Sequence, residues 1–227
     1  MSSISRIEFA PDLTEQVHKR LLDAICEGSL APGARLTQED LATMLDVSRQ
    51  PVLQALRLLK KDGFVIDAGR RGLMVSPLDP QLIARVYQVR SVIDGLAARQ
   101  AALAGAKLDL KVVAEGRKAA AGRRVGPMIE ADIRFHNMIY AASDNPFIGQ
   151  TAGLHWHHIR RAMGAVLQFA GVRAPVWDEH EAILQAINAG DAVLAERLAR
   201  DHGERAGRDL ADQFNQHVGR ATGTRGA

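Results

Sequence analysis

The sequence predicts a mostly helical chain of two domains, an N-terminal one over residues 1–77 and a C-terminal one over residues 78–227. Alanine is abundant and aromatic residues make up only 4% of the 227 residues, a composition that favours helices over a β sandwich. Two prolines, Pro77 and Pro80, lie where the halves meet and interrupt any helix that would join them. With 47% hydrophobic residues, both halves can bury a core.

Composition also excludes several classes of protein. The single cysteine, Cys26, excludes an internal disulfide framework and a cysteine-rich zinc module. No apolar run approaches the roughly 18 residues that a membrane span needs, and residues 1–10 lack the basic and apolar regions of a signal peptide. We therefore expect a cytoplasmic protein with no membrane partner. The net charge of +3 is too small to indicate nucleic acid by itself.

Three short helices are predicted in the first domain. The first covers residues 13–27. The second follows Thr37, a residue typical of a helix N-cap, and turns three side chains inward, namely Leu41, Met44 and Leu45. The third begins after the cap Ser48, which leaves Pro51 in the first turn, where amides have no partner within the helix.

Two short β runs follow, at residues 64–66 and 73–75, joined by a glycine-containing loop. The order of these elements predicts a winged helix-turn-helix: two helices, a tight turn, a capped third helix and a β hairpin. Such a domain binds DNA, although it can also serve as a protein–protein module. We expect double-stranded DNA as the partner, because residues 48–75 carry six basic side chains against two acidic ones.

The third helix has two distinct faces. Its buried stripe is predicted to consist of Val52, Ala55, Leu56 and Leu59. Arg49 and Gln50 lie in the first turn, where a recognition helix reaches base edges, with arginine suited to guanine and glutamine to adenine. In the hairpin loop, Arg70 and Arg71 could reach a phosphate or a minor groove. The predicted DNA contacts are Arg35, Ser48, Arg49, Gln50, Leu53, Arg57, Arg70, Arg71 and Gly72.

The motifs of this region resemble those of GntR-family transcription regulators. They are Gly28-x-Leu30-x-Pro32-Gly33-x-x-Leu36, Leu41-Ala42, Leu45-Asp46-Val47-Ser48-Arg49-Gln50-Pro51-Val52 and Arg71-Gly72. The resemblance covers most of residues 13–76 and implies a DNA-binding winged helix. Where the family usually continues with Arg-Glu-Ala-Leu, this chain has Leu53-Gln54-Ala55-Leu56. Because the replaced arginine often contacts DNA, the resemblance does not imply the family's usual operator sequence.

The second domain is predicted to be an antiparallel bundle of six helices, at residues 80–104, 108–122, 127–143, 147–170, 175–189 and 191–217. Several polar residues fall on its apolar stripes. Asp132 and His136 are one helical turn apart and can point at one spot. His180 and His202 flank a turn near Gly190 and lie at similar heights in a helical hairpin.

These four polar residues are a candidate metal site. One carboxylate and three imidazoles suit a divalent transition metal, and a buried, unpaired aspartate is unfavourable. Each histidine could instead be a satisfied core residue. Asp132-x-x-x-His136, Glu179-His180 and His202 resemble the FCD domain of the FadR subfamily, over roughly residues 79–218, and six helices resemble its VanR-like branch.

The FCD resemblance implies a ligand set and an effector. It implies that Asp132, His136, His180 and His202 hold a divalent metal such as zinc, nickel or manganese, and that a small organic acid binds beside it or on it. Arg90 lies on the inner stripe of the first bundle helix, where it could bind the effector carboxylate or pair with Asp94. Two further effector candidates adjoin inward-facing positions, namely Asn137 and Arg160.

We therefore expect a homodimeric transcription regulator, a repressor that leaves an inverted-repeat operator when a small carboxylate effector binds. A metal-sensing regulator is the alternative. A metallohydrolase is less favoured, because Glu179 and Glu181 are expected to project away from the face of His180 and leave no positioned general base. The sequence therefore predicts a binding protein rather than an enzyme.

Overall fold

The computed structural model describes residues 13–69, 72–122, 124–167 and 175–217. The chain divides into two compact units, Met1–Pro77 and Leu78–Ala227. Helices dominate both, so the predicted fold class is confirmed. Within the described ranges, no helix is long and apolar enough to cross a membrane.

The first unit is a three-helix domain with a small sheet. Its elements are α1 (Leu13–Glu27), β1 (Arg35–Leu36), α2 (Gln38–Leu45), α3 (Arg49–Lys61), β2 (Val65–Asp67) and β3 (Leu73–Val75). The sheet is antiparallel with the order β1-β3-β2, which gives the predicted wing an additional two-residue strand. The buried stripe of α3 is confirmed, with Val52, Ala55, Leu56 and Leu59 all in the core.

Local backbone and side-chain contacts define where α2 begins and where it ends. Thr37 Oγ1 accepts a hydrogen bond from the amide of Asp40 (3.1 Å) and caps α2. Asp46 ends α2 in the left-handed conformation (φ 52°). Ser48 occupies the N-cap of α3, although its side chain makes no capping hydrogen bond.

The inward placement of Met44 was wrong. Its side chain is 72% exposed. The core face of α2 is formed by Leu41 and Ala42, and Met44 lies two residues past Ala42, about 200° further around the helix. An eight-residue helix buries only one narrow face, so the third apolar side chain remains in solvent.

The second unit contains seven described helices rather than the six predicted. They are α4 (Pro80–Leu103), α5 (Lys111–Ala120), α6 (Val125–Ala142), α7 (Pro146–Gly153), α8 (Trp156–Val166), α9 (Pro175–Ala189) and α10 (Ala192–His217). The helix predicted over 147–170 is therefore two, which also removes the helix count as a reason for the VanR-like branch. It breaks after Gly153, a weak helix former, and α8 then turns Ile159 and Ala162 into the core.

Helices α4 and α10 approach closely because α10 carries glycines at their contact. A Cβ atom at Gly207 would lie 2.5 Å from the Cβ of Tyr87, and one at Gly203 would lie 2.9 Å from the Cβ of Ser91. The absence of these side chains lets the two backbones pack at short range. This packing sets the position of α10, and with it the histidine at position 202.

Gly207→Ala should destabilise the protein, because the added methyl group cannot fit without moving α10 from α4. We expect a loss of about 1–3 kcal/mol in the free energy of unfolding, measured by urea denaturation. The control is Gly126→Ala in α6, where an added Cβ meets nothing within 4 Å. Equal stabilities of the two variants would contradict the close approach.

Candidate metal centre

Three buried histidines from three helices converge in the second unit. His136 of α6, His180 of α9 and His202 of α10 place one ring nitrogen each within 4.8 Å of the others. The Nε2 atoms of His180 and His202 are 3.2 Å apart. Asp132 Oδ1 lies 3.8 Å from His136 Nε2 and 3.7 Å from His180 Nε2. The structure thus brings together all four residues predicted as metal ligands.

The local fold accounts for this convergence. Asp132 and His136 are one turn apart on the buried face of α6. Helices α9 and α10 form an antiparallel hairpin around Gly190, which takes a left-handed backbone (φ 77°). His180 and His202 lie at similar distances from that turn, so their side chains meet across the hairpin.

Burial favours the neutral form of two of the three imidazoles, those of His180 and His136. Burial, together with His202 and His136, keeps the pKa of His180 well below its ordinary value. Burial and the Arg90 guanidinium lower the pKa of His136. His136 Nε2 is buried and has no hydrogen-bond partner among the described residues. Neutral imidazole nitrogens aimed at one point are the form in which histidine binds metals.

The donor set fits a divalent transition metal. In a tetrahedral zinc site, metal–nitrogen distances of about 2.0–2.1 Å place neighbouring ligand atoms roughly 3.3 Å apart. The measured separations are 3.2 Å between His180 and His202 and 3.7 to 3.8 Å from Asp132 to His180 and His136. Nitrogen and carboxylate donors suit nickel and manganese as well as zinc.

Arg90 lies next to this cluster, buried between two carboxylates. Its Nε is 3.2 Å from Asp94 Oδ2 and its Nη2 is 3.3 Å from Asp132 Oδ2. The guanidinium also lies over the Trp156 ring, 4.5 Å from the centroid. Burial lowers the pKa of Arg90, but the two carboxylates raise it more, so the group stays charged. The alternative of an Arg90–Asp94 ion pair is thus present in the structure.

Asp94 connects this arginine to the histidines. It accepts a hydrogen bond from the Tyr140 hydroxyl, and its Oδ2 lies 3.4 Å from His136 Nδ1. Burial raises the pKa of Asp94, but His136 and Arg90 lower it more, so its pKa lies well below the ordinary value. Asp94 is therefore an ionised carboxylate that holds the side of His136 facing away from the other histidines.

A cavity of about 90 Å³ opens beside the cluster. Its lining includes Arg90, Asp132 and His202, and most of its other lining residues are apolar. The other lining residues are Tyr87, Met163, Leu167, Val176, Ala206, Asp209, Leu210 and Gln213. A small molecule in this cavity would contact both the arginine and two of the candidate metal ligands.

Two of the predicted effector residues are not brought to this cavity. Asn137 is exposed on α6, because it lies about 100° around the helix from His136. Arg160 is half-buried on α8 and does not line the cavity. Adjacency in sequence to an inward-facing residue is thus a poor guide on a helix. Arg90 is the predicted effector residue that the structure places at the cavity.

The prediction that Glu179 projects away from the site was wrong. Its Oε2 lies 2.7 Å from His202 Nδ1, and its Oε1 accepts a hydrogen bond from Arg205 Nε (3.0 Å). Glu181 does point outward and pairs with Arg117 (2.7 Å). Glu179 does lie about 100° around α9 from His180, but its long side chain reaches the neighbouring helix α10.

The predicted DNA contacts in the described part of the first unit are mainly exposed. Leu53 of α3 is half-buried, while Arg35, Ser48, Arg49, Gln50, Arg57 and Gly72 are exposed. Arg49 pairs with Glu39 of α2 (2.9 Å). Arg70 and Arg71 lie outside the described residues. The exposed N-terminal turn of α3 is available to a partner, and the individual base contacts stay predictions.

Comparison with known proteins identifies the family. The model of the bacterial regulatory proteins of the gntR family matches residues 13–75, and that of the FCD domain matches residues 85–205, more than half of the chain. The chain belongs to the GntR family and carries an FCD domain. It is therefore a transcriptional regulator and not an enzyme.

Proteins similar to this chain are known from both sequence and structure. A Paenarthrobacter nicotinovorans protein named "Probable D-xylose utilization operon transcriptional repressor" is 27% identical over 202 residues, which cover 84% of this chain and 85% of that protein. A GntR transcriptional regulator from Rhodococcus sp. RHA1 is 28% identical, with a TM-score of 0.70 over 88% of this chain and 97% of the other. E. coli McbR/YncC shares the fold (TM-score 0.74, 20% identity, 89% and 99% covered).

Removing the Arg90 charge should destabilise this GntR protein strongly, because Asp94 and Asp132 would be left buried without their cation. We expect Arg90→Met to lower the free energy of unfolding by about 3–5 kcal/mol in metal-free protein. Arg99→Met is the matched control on the same helix, since Arg99 forms an exposed pair with Glu196 and should contribute less than about 1 kcal/mol. Similar losses in both variants, measured by urea denaturation, would contradict the role of Arg90.

Proposed function

We propose that this GntR regulator is a metal-dependent repressor that leaves its operator when a small carboxylate binds in the FCD domain. One observation carries the proposal. Arg90, Asp132 and His202 line one cavity, and most of its other lining residues are apolar. A guanidinium in the wall of such a cavity suits a carboxylate, which it can bind through two parallel hydrogen bonds.

The metal site lies against this cavity. The residues that would hold the ion are Asp132, His136, His180 and His202, whose candidate ligand atoms converge. Burial favours the neutral imidazole of His136 and of His180. When bound, a divalent cation supplies a Lewis-acid site for a carboxylate oxygen. Arg90 orients the same carboxylate, and the apolar wall excludes water from around the remainder of the effector.

Helix α4 offers a physical path for the response. Its inner face carries Arg90 and Asp94, and its first residue, Pro80, closely follows the boundary between the two units. An effector carboxylate that bonds to Arg90 competes with Asp132 for the same guanidinium (3.3 Å). The competition would shift α4 against α6, and a population of the protein with a different α4 position would bind the operator less well.

DNA binding is assigned to α3. Arg49 and Gln50 are exposed in its first turn, where recognition helices reach base edges. The P. nicotinovorans relative is named a repressor, which supports repression as the sense of regulation. Because a bacterial operator is cytoplasmic DNA, this function requires a cytoplasmic protein.

A homodimer is proposed through the outer face of α4. Leucine or valine recurs there every seven residues, and each side chain is between 38% and 63% exposed: Leu82, Val89, Leu96 and Leu103. Val92, 51% exposed, extends this stripe at its centre. Equal seven-residue spacing lets an antiparallel second copy match the stripe with itself. A two-fold dimer also explains the expected inverted-repeat operator.

Charges placed on this stripe should separate the dimer. We expect Val89→Glu combined with Leu96→Glu to give a monomer with unchanged helix content, because two carboxylates per copy would be buried against each other. Mass is measured by light scattering after gel filtration. The control is Val193→Glu in α10, a 77% exposed valine outside the stripe. A double variant that stays dimeric places the interface elsewhere.

The proposed function is tested by operator binding. Operator DNA is first selected from a random pool by the wild-type protein, and its affinity is then measured with metal-loaded and chelator-stripped protein against sugar acids, dicarboxylates and aromatic acids. We expect at least one acid to weaken DNA binding tenfold or more in metal-loaded protein. The effect should be lost in Arg90→Lys, which keeps the positive charge but not the planar guanidinium that binds a carboxylate through two hydrogen bonds.

Two variants separate the parts of this mechanism. Arg49→Ala should lose DNA affinity while still binding metal and acid, since it lies in the other unit. His202→Ala should lose metal binding and the acid response. If metal alone changes DNA affinity and no acid does, the protein is a metal sensor. If neither changes it, the proposal is wrong.

A further inference from the structure

The three histidines of the cluster are oriented by different means. His180 stacks on Phe135 (ring centroids 3.9 Å apart) and meets the edge of Trp177 (4.6 Å), while its Nδ1 has no hydrogen-bond partner among the described residues. Packing on rings therefore holds His180. The other two, His136 and His202, have a carboxylate at Nδ1 instead.

The two carboxylates repeat one arrangement. Arg90 contacts Asp94, and Asp94 contacts His136 Nδ1 at 3.4 Å. On the other side of the cluster, Arg205 donates to Glu179 (3.0 Å), which accepts a hydrogen bond from His202 Nδ1 (2.7 Å). In both cases an arginine fixes a carboxylate, and the carboxylate faces the ring nitrogen away from the cluster. The first group is fully buried, whereas Glu179 and Arg205 are 33% and 44% exposed.

A carboxylate at Nδ1 determines what Nε2 can do. When Glu179 accepts the Nδ1 proton of His202, the imidazole keeps its lone pair on Nε2, the atom that lies 3.2 Å from His180 Nε2. The hydrogen bond also fixes the rotation of the ring. Removing such a partner of a ligating histidine typically lowers the metal affinity by about 10- to 100-fold.

We propose that Glu179 is a positioning residue for the metal site, which holds His202 in the ligating tautomer and orientation, and that Arg205 holds Glu179 in turn. This inference rests on the proposed metal site and deepens it. Glu179 and Arg205 are partly exposed, unlike Arg90 and Asp94. Substitutions at Glu179 or Arg205 can therefore alter metal affinity without disturbing the buried charges around Arg90.

The chain offers a matched control for this glutamate. Glu181 lies two residues further along α9 and pairs with Arg117 at the surface, so Glu181→Gln removes the same charge from the same helix without touching a histidine. Arg208 of α10, 65% exposed and 3.9 Å from Glu204, is the corresponding control for Arg205. Comparing Glu179 with Glu181, and Arg205 with Arg208, separates the effect of a residue's contacts from the effect of the protein's net charge.

The experiment measures zinc and nickel affinity by competition with a chromogenic chelator. We expect Glu179→Gln to weaken binding 10- to 100-fold, Arg205→Met to weaken it less, and Glu181→Gln and Arg208→Met to stay within twofold of wild type. Glu179→Asp keeps the charge on a shorter side chain, so its metal affinity should lie between those of Glu179→Gln and wild type. Melting temperatures of the metal-free proteins should differ little, because Glu179 and Arg205 are both partly exposed, whereas those of the metal-loaded proteins should differ more.

The possible failures are distinguishable. If the wild-type protein binds neither metal, the proposed metal site fails and this inference fails with it. If wild type binds metal and Glu179→Gln binds it equally well, the site stands and the role of Glu179 is overturned. If Glu179→Gln lowers the melting temperature of the metal-free protein as much as that of the loaded one, the residue is structural rather than positioning.

Discussion

The FCD domain depends on the burial of one arginine between two carboxylates. Arg90 would be strongly unfavourable in the core by itself, and so would Asp94 or Asp132. Together they are compatible with burial, because the guanidinium contacts both at 3.2 and 3.3 Å. Three charges of this kind form a group in which each member requires the others.

That group leaves a negative balance next to the histidines. One guanidinium faces two carboxylates, and burial favours neutral imidazoles at His136 and His180. A divalent cation at the histidines would offset the excess negative charge, and a bound carboxylate could then enter without leaving the site strongly charged. The electrostatics of the core and the convergence of nitrogen donors therefore favour the same occupant.

Helix α4 combines the two properties that a regulator needs. Its inner face holds the buried charges, while its outer face carries an exposed apolar stripe of seven-residue period. The glycines of α10 let α4 pack tightly on its third side. A rigid helix with these faces can convert a small change at Arg90 into a displacement at the proposed subunit interface, since packed elements move as units.

Periodicity in the sequence predicted most of the elements and most of their buried faces. Helical spacing predicted that Asp132, His136, His180 and His202 face inward, and the structure brings them together. The prediction succeeds because apolar residues spaced at the helical period of about 3.6 residues mark the buried side of a helix, whichever elements pack against it. The same reasoning predicted the buried stripe of α3 correctly.

The sequence by itself determined the helical class, the winged helix and the inward faces, because these depend on residues close together in the chain. Only the tertiary structure decided which side chains meet between helices. The contact of Glu179 with His202 joins residues 23 positions apart, and that of Tyr140 with Asp94 joins residues 46 apart. Such contacts depend on interhelical distance and side-chain length, which periodicity does not record.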